Sequence, residues 1–342
     1  MTVFLSLPRN TADLTPDPLP KVAEKVLNEL SEQPYEEMIE DLMKKLVLSD
    51  SQLTELERMT RDQSNCPLWH EQRIGRLTAS SHRQIHQTLN KIMHNKKNVP
   101  VTSLLSKIMG SAKSIGSLPQ IKWGVDHEDV AVAAFYKESL KIHDSPSFSS
   151  CSIFACPQLP FILASPDRMM KCKCCGDRCI EIKCPFSLRE TPFELGWKSL
   201  GYMECEDDKI TLKKTHPYYF QVQGQMGCTG CQSSFFVVWD PVSASPHIEE
   251  IKFDPNFWED MKRSLTIFFK QYVGKCLLKV RLINYCSLCG SHCLEENEAL
   301  KDVDRSFKCT LCNIIFHSRC SKDVDGVCEG CLCNALEENF DE

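Results

Sequence analysis

Between residues 286 and 331 the spacing of cysteine and histidine fixes what the chain can build. It reads Cys286-x2-Cys289-x19-Cys309-x2-Cys312-x4-His317-x2-Cys320-x7-Cys328-x2-Cys331. Two cysteines separated by two residues can grip one side of a tetrahedral zinc ion. Apart from these ligands, the 46-residue segment has too few apolar residues to hold a core, so metal must do that work. The whole chain has 21 cysteines, nine of them in the last 57 residues. The start, MTVFLSLPRN, has no basic segment before its short apolar run, and no stretch approaches a membrane span. The cysteines are therefore expected in a reducing, intracellular setting, as metal ligands or buried thiols.

At 342 residues, with 42% apolar and 25% charged, the sequence suits one large domain plus a small module. The net charge of −6 excludes a globally basic nucleic-acid coat protein. Charge is unevenly placed, however. Residues 21–60 carry ten acids against five bases, whereas residues 69–123 carry nine Lys or Arg and one acid, Glu71. A net +8 over 55 residues points to an anionic partner rather than an ordinary solvated face.

Residues 1–20, with four prolines, read as a lead-in. Apolar spacing predicts helices over 21–60, broken near Pro34 and restarting after the LSDS cap. GVDHEDVAVAAFYKESL reads as a helix. The runs SIFA, FILASPD and CIEIKCP read as strands. HPYYFQVQGQMGCTG reads as a helix, SFFVVWD and HIEEIKF as strands, and residues 255–280 as a long amphipathic helix. The predicted division is a helical extension over 1–60, a main domain over 61–282, a zinc module over 283–333 and an acidic tail over 334–342.

The sharpest constellation is Asp167 followed by Glu181-Ile182-Lys183. Alternate strand residues share a face, so Glu181 and Lys183 point the same way. A carboxylate can hold a hard divalent cation, and a lysine beside it can position water and steady charge on a phosphate. The spacing alone is weak. Its setting within apolar strands is not, because buried charge is costly without a partner or a metal.

Five segments occur together in order: WHEQRIGRLTASS (69–81), Gly124 to Glu128, LASPD (163–167), EIKCP (181–185) and YYFQVQGQM (218–226). In this order they resemble the YqaJ viral-recombinase family of lambda-exonuclease-like nucleases, within the PD-(D/E)xK superfamily. The resemblance spans about 60 to 280. It implies an α/β (α+β) restriction-endonuclease-like core, a mixed central sheet flanked by helices. It implies that Glu128, Asp167 and Glu181, with the Ile182 carbonyl, bind Mg²⁺ or Mn²⁺. Lys183 would be the catalytic lysine, and Gln221 would line the site with Gln225 one turn along. Arg73 and Ser80 fall where the family binds the 5′ phosphate of a DNA end; Ser80 reads equally well as a helix N-cap. Trp69 and His70 read better as packing residues. Arg168 departs from the family, which usually has glycine after the Asp.

The C-terminal ligand order resembles a PHD finger with cross-brace topology. That resemblance puts Cys286, Cys289, His317 and Cys320 on one zinc, and Cys309, Cys312, Cys328 and Cys331 on the other. Gly326 and Phe307 stand where such fingers usually have better aromatic walls, which favours a structural or protein-contact role over histone-tail reading. Cys172, Cys174, Cys175 and Cys179 read either as a third zinc site or as a loop of free thiols. Cys228 and Cys231 read as packing.

Two functions follow. The first is a Mg-dependent exonuclease hydrolysing double-stranded DNA from 5′ ends, in recombination, repair or mobile-element processing. The second is a catalytically weak, nuclease-derived DNA- or chromatin-binding protein recruited to a protein partner by its finger. Both imply a nuclear setting and no membrane, and both a ring and a monomer stay open.

Overall fold

The computed structural model describes residues 14–94, 99, 101–111 and 118–278, together with the backbone of strands at 306–308, 315–317, 323–324 and 327–328. Three helices open it: α1 (Leu19–Leu30), α2 (Tyr35–Lys45) and α3 (Asp50–Met59). Pro34 sits at the N-cap of α2, which explains the break. Ser49 and Gln52 form a reciprocal capping box at the head of α3.

Next come α4 (Pro67–Arg73), β1 (Leu77–Thr78), α5 (His82–Met93), α6 (Thr102–Ile108) and the long α7 (Pro119–Ile142). Five strands follow: β2 (Ser147–Ser149), β3 (Phe154–Ala155), β4 (Ile162–Ala164), β5 (Arg168–Cys172) and β6 (Gly176–Lys183). A short α8 (Phe193–Gly196) and the hairpin of β7 (Met203–Glu206) and β8 (Lys209–Leu212) lead to α9 (Pro217–Thr229). Then β9 (Ser233–Val238) and β10 (His247–Lys252) precede α10 (Pro255–Phe268), a π-helical turn (Phe269–Val273) and α11 (Gly274–Leu277). The helix expected over 255–280 is thus interrupted by that turn.

The central sheet has the order β10-β9-β6-β5-β2. Only β6 and β9 run parallel in it, with Glu181 opposite Phe236 and Lys183 opposite Val238. Parallel neighbours need a crossover, and α9 lies in it. A second sheet, β1-β4-β3, pairs β1 with β4 in parallel.

The side-chain period of two sorts the sheet's faces. Ile180, Ile182, Phe235 and Val237 pack with Ala131 and Phe135 of α7. Cys179, Phe236 and Val238 pack with Tyr219, Val222 and Met226 of α9. A mixed sheet between helices therefore matches the expected α/β class. The N-terminal helices pack on the main domain: Leu19, Val26, Ile39 and Leu42 share one core with Leu77, Phe161 and Phe268. Phe161 stacks on Phe269 at 4.1 Å within that core.

No helix among the described residues is long and apolar enough to cross a membrane. In the C-terminal part, β11 (Ser306–Lys308) pairs with β12 (Ile315–His317), and β13 (Asp323–Val324) with β14 (Val327–Cys328). The expected finger ligands Cys286, Cys289, Cys309, Cys312, Cys320 and Cys331 lie outside the described residues, as do the side chains of His317 and Cys328.

Candidate active site

Glu181 and Lys183 leave β6 on its α9 face, as the alternation predicts, and Lys183 Nζ donates to Glu181 Oε1. Glu181 is fully enclosed. Two amides from α9, one turn apart, complete its partners: Gln221 Nε2 donates to Oε1 at 2.7 Å, and Gln225 Nε2 to Oε2 at 2.5 Å. Such spacing puts both amides on one helical face. The α9 helix can pack closely on the head of α5 because residue 224 is glycine. A Cβ there would lie 2.6 Å from the His82 ring.

Asp167 stands just before β5 and is pinned to β6 at both ends. Its N–H donates to the Ile180 carbonyl at 3.1 Å, and its Oδ2 accepts from the Ile182 N–H at 2.7 Å. Burial, and then the neighbouring Glu181 carboxylate, push the Asp167 carboxyl well above the usual carboxylate range. Burial alone would depress Lys183, but Glu181 and Asp167 outweigh it and hold the ammonium well above its ordinary value. The charge also lies 4.6 Å from the centre of the Tyr218 ring.

Glu128 comes from α7, on the opposite face of the sheet. Burial raises its pKa, against the pull of Arg168. Arg168 Nη1 donates to Glu128 Oε1 at 3.1 Å and to the Asp167 carbonyl at 2.6 Å, while Nη2 donates to Asp129 Oδ1 at 2.6 Å. The Arg168 side chain, at the position where the resemblance implies glycine, thus holds a carboxylate of the expected metal set. Together Glu128, Asp167, Ile182, Lys183, Tyr202 and Tyr218 line an open cleft of about 420 Å³. Among the described residues, the three carboxylates are not gathered into a close metal-ligating group. The candidate ligands Glu128, Asp167 and the Ile182 carbonyl nonetheless offer oxygens, the choice of a hard divalent cation, although Cys184 also lines the cleft.

A second pocket, of about 230 Å³, is lined by Arg73, Arg76, Lys107, His70, Thr78 and Ser81, and by no acid among the described residues. Arg73 ends α4 with its guanidinium 3.9 Å from the Trp69 ring centre. Neither Arg73 nor Arg76 has an acidic partner among the described residues. Arg76 is buried, its Nη1 donating to the Gln72 carbonyl at 3.2 Å while its Nε finds no acceptor. Burial lowers both guanidinium groups to about 10. Sequence reasoning named Arg73 and missed Arg76 and Lys107, although both belong to the basic stretch.

Ser80 is exposed and does not line this pocket; its hydroxyl lies 3.3 Å from Thr78 Oγ1. The N-cap of α5 is Ser81, without a side-chain cap bond, so Ser80 is not the cap either. His70 is exposed rather than a core histidine, with Nε2 at 2.8 Å from the Ser64 carbonyl. Trp69 is half-buried and packs as expected.

The cysteine cluster assembles differently from the expected four. Cys172, Cys174 and Cys175 come together with His143, and Cys179 does not join them. Cys179 faces α9 instead, 3.2 Å from Thr229 Oγ1. Cys228 and Cys231 are buried.

Residues 68–232, just under half of the chain, match the family model of the YqaJ-like viral recombinase domain. A search of curated proteins finds no match. Among solved structures, an alkaline exonuclease (LHK-Exo) from Laribacter hongkongensis is similar, at 19% identity over 61% of this chain and 93% of that one, with a TM-score of 0.42. The Shutoff and Exonuclease Protein from Kaposi's sarcoma-associated herpesvirus is 13% identical over 71% and 77%, with a TM-score of 0.44. A phage-related exonuclease from Haemophilus somnus 129PT is 12% identical over 60% and 96%, with a TM-score of 0.37.

Proposed function

We propose that the chain is a divalent-metal-dependent nuclease that degrades linear double-stranded DNA from its 5′ ends. The observation that carries this reading is the ion pair of the enclosed Glu181, oriented by Gln221 and Gln225, with Lys183, which lines the cleft beside Asp167. A buried ion pair with this much support is costly to keep and is characteristic of a reaction centre. The match of residues 68–232 to a viral recombinase domain supports the same reading.

Asp167, Glu181, Glu128 and the Ile182 carbonyl would hold Mg²⁺ or Mn²⁺. The donors are oxygens, and the raised Asp167 and Glu128 carboxyls are relieved by a cation. Bound there, the metal would acidify a water and neutralise charge on the scissile phosphate. The protein's own contribution is orientation. Lys183, fixed by Glu181 and the Tyr218 ring, offers its remaining N–H donors to the attacking water or to a non-bridging phosphate oxygen. Gln221 and Gln225 keep Glu181 from turning away.

The pocket of Arg73, Arg76 and Lys107 is the proposed seat of the 5′-terminal phosphate. It presents cationic donors with no competing acid among the described residues. In the C-terminal segment, the proposed module over 283–333 is a cross-brace finger with two zinc ions and a protein-contact role.

One contact favours the second reading, a weak nuclease that mainly binds DNA: the hold of Arg168 on Glu128. Digestion of linear duplex and of covalently closed circular DNA, with Mg²⁺ and with EDTA, separates the two. An exonuclease shortens only the linear DNA, and only with metal. A binding protein retards both and shortens neither.

A further inference from the structure

The hairpin of β5 and β6 turns through Cys172-Lys173-Cys174-Cys175-Gly176, with Cys172 paired to Gly176. Gly176 has φ +70, in the left-handed region where a side chain would be strained. The turn directs three sulfurs toward one point. Cys172 Sγ lies 3.0 Å from Cys174 Sγ and 2.8 Å from Cys175 Sγ, and it accepts the Cys175 N–H at 3.3 Å. A backbone N–H aimed at a sulfur favours the thiolate, the form that binds metal.

The fourth group comes from another element. His143 follows the last residue of α7, and its Nδ1 lies 3.8, 3.5 and 3.6 Å from the sulfurs of Cys172, Cys174 and Cys175. Next to it, the Asp144 carbonyl accepts the Lys173 N–H at 3.0 Å, which docks the turn against this helix end. With Zn–S near about 2.3 Å and Zn–N near about 2.0 Å, a tetrahedron has S–N edges of about 3.5 Å and S–S edges of about 3.8 Å. The nitrogen is thus in place, and the sulfurs need to spread by about 1 Å.

We propose that His143, Cys172, Cys174 and Cys175 bind one structural zinc ion that clamps the end of α7 to the tip of the β5–β6 hairpin. Three soft thiolates and an imidazole are a zinc donor set, and four protein ligands leave no open position for catalysis. Cys172 and Cys175 sit against the apolar layer of Phe148, Phe235 and Ile180, which keeps one side of the site dry. The clamp joins the elements that carry the cleft. Glu128 lies on α7, Asp167 just before β5, and Glu181 and Lys183 at the end of β6. This zinc is separate from any held by the C-terminal finger and does not depend on the nuclease reading.

Native mass spectrometry of the full chain tests the site by counting zinc. The Cys174→Ser/Cys175→Ser chain should carry one zinc fewer than wild type, and the Cys179→Ser chain the same number. Equal zinc in wild type and the double variant would overturn the proposal. Should the double variant fail to fold, alkylation of the wild-type chain decides. Cys174 and Cys205 are both exposed. Before chelation, Cys205 should react with N-ethylmaleimide at least about tenfold faster than Cys174, and after chelation at a similar rate. Equal rates before chelation would rule the site out.

Discussion

Arg168 Nη1 lies 3.1 Å from Glu128 Oε1, a contact across 40 residues of sequence that ties a carboxylate of the proposed metal set to a fixed cation. Its other amino group holds Asp129, so the guanidinium bridges two acids of α7. The proposed metal must compete with this bridge for Glu128. Arg168→Gly should lower the Mg²⁺ concentration for half-maximal cleavage by about two- to fivefold, since a partly exposed pair is worth about 0.5–1 kcal/mol. An unchanged Mg²⁺ titration would mean that Glu128 takes no part in holding metal.

Glu181→Gln removes a charge and keeps the shape. Cleavage should disappear while DNA binding is kept or strengthened, because a carboxylate that repels phosphate has gone. Gel-shift affinity and cleavage rate, measured on the same preparation, separate the two effects. Wild-type cleavage in a folded Glu181→Gln chain would remove the central carboxylate from the account.

Arg73 tests whether the basic pocket reads DNA ends. Losing a charged, forked hydrogen bond costs on the order of 1.5–3 kcal/mol. Arg73→Ala should therefore slow digestion of 5′-phosphorylated linear DNA by roughly 10- to 100-fold. Digestion of 5′-hydroxyl DNA should change much less, and Lys at this position should rescue only partly. Equal slowing on both substrates would make Arg73 part of a general electrostatic surface.

His82 gives the fold an acid-labile point. Burial lowers its pKa to about 4, against a weak opposing contact with the Leu77 carbonyl. Below its unfolded value of 6.5, the unfolded chain binds a proton that the native state does not. Stability is thus complete above that value and is lost as pH falls toward 4. The expected contribution between pH 7 and pH 5 is about 2 kcal/mol. Urea unfolding at the two pH values should register it, and His82→Asn should flatten that dependence. An equal pH dependence in the variant would show that His82 is not the responsible group.

Strand alternation made Glu181 and Lys183 legible, because a period of two needs only neighbouring residues. The same rule, applied one step further, excludes Cys179 from the zinc cluster. Cys179 shares a face with Glu181, whereas Cys172 packs on the face of Ile180. The replacement ligand, His143, was not legible, since nothing local joins the end of α7 to a turn 29 residues later. Arg76 and Lys107 show the same limit. Both were visible as charge, but only packing brings α6 beside α4 to make one pocket. The α7 helix begins five residues earlier than its apolar pattern indicates, at Pro119, where proline suits the first helical position.

The most direct measurement is the rate at which the full chain releases nucleotides from 5′-phosphorylated linear duplex DNA in Mg²⁺, for wild type and for Lys183→Ala. In this variant Gln221 and Gln225 still hold the Glu181 carboxylate, which favours an intact fold. Wild type should digest the DNA, stop in EDTA and resume with added Mg²⁺. Lys183→Ala should be slower by roughly 10²- to 10⁴-fold, the range for a positioned proton donor or electrostatic group. No metal-dependent digestion by wild type, or equal rates for the two chains, would contradict the account.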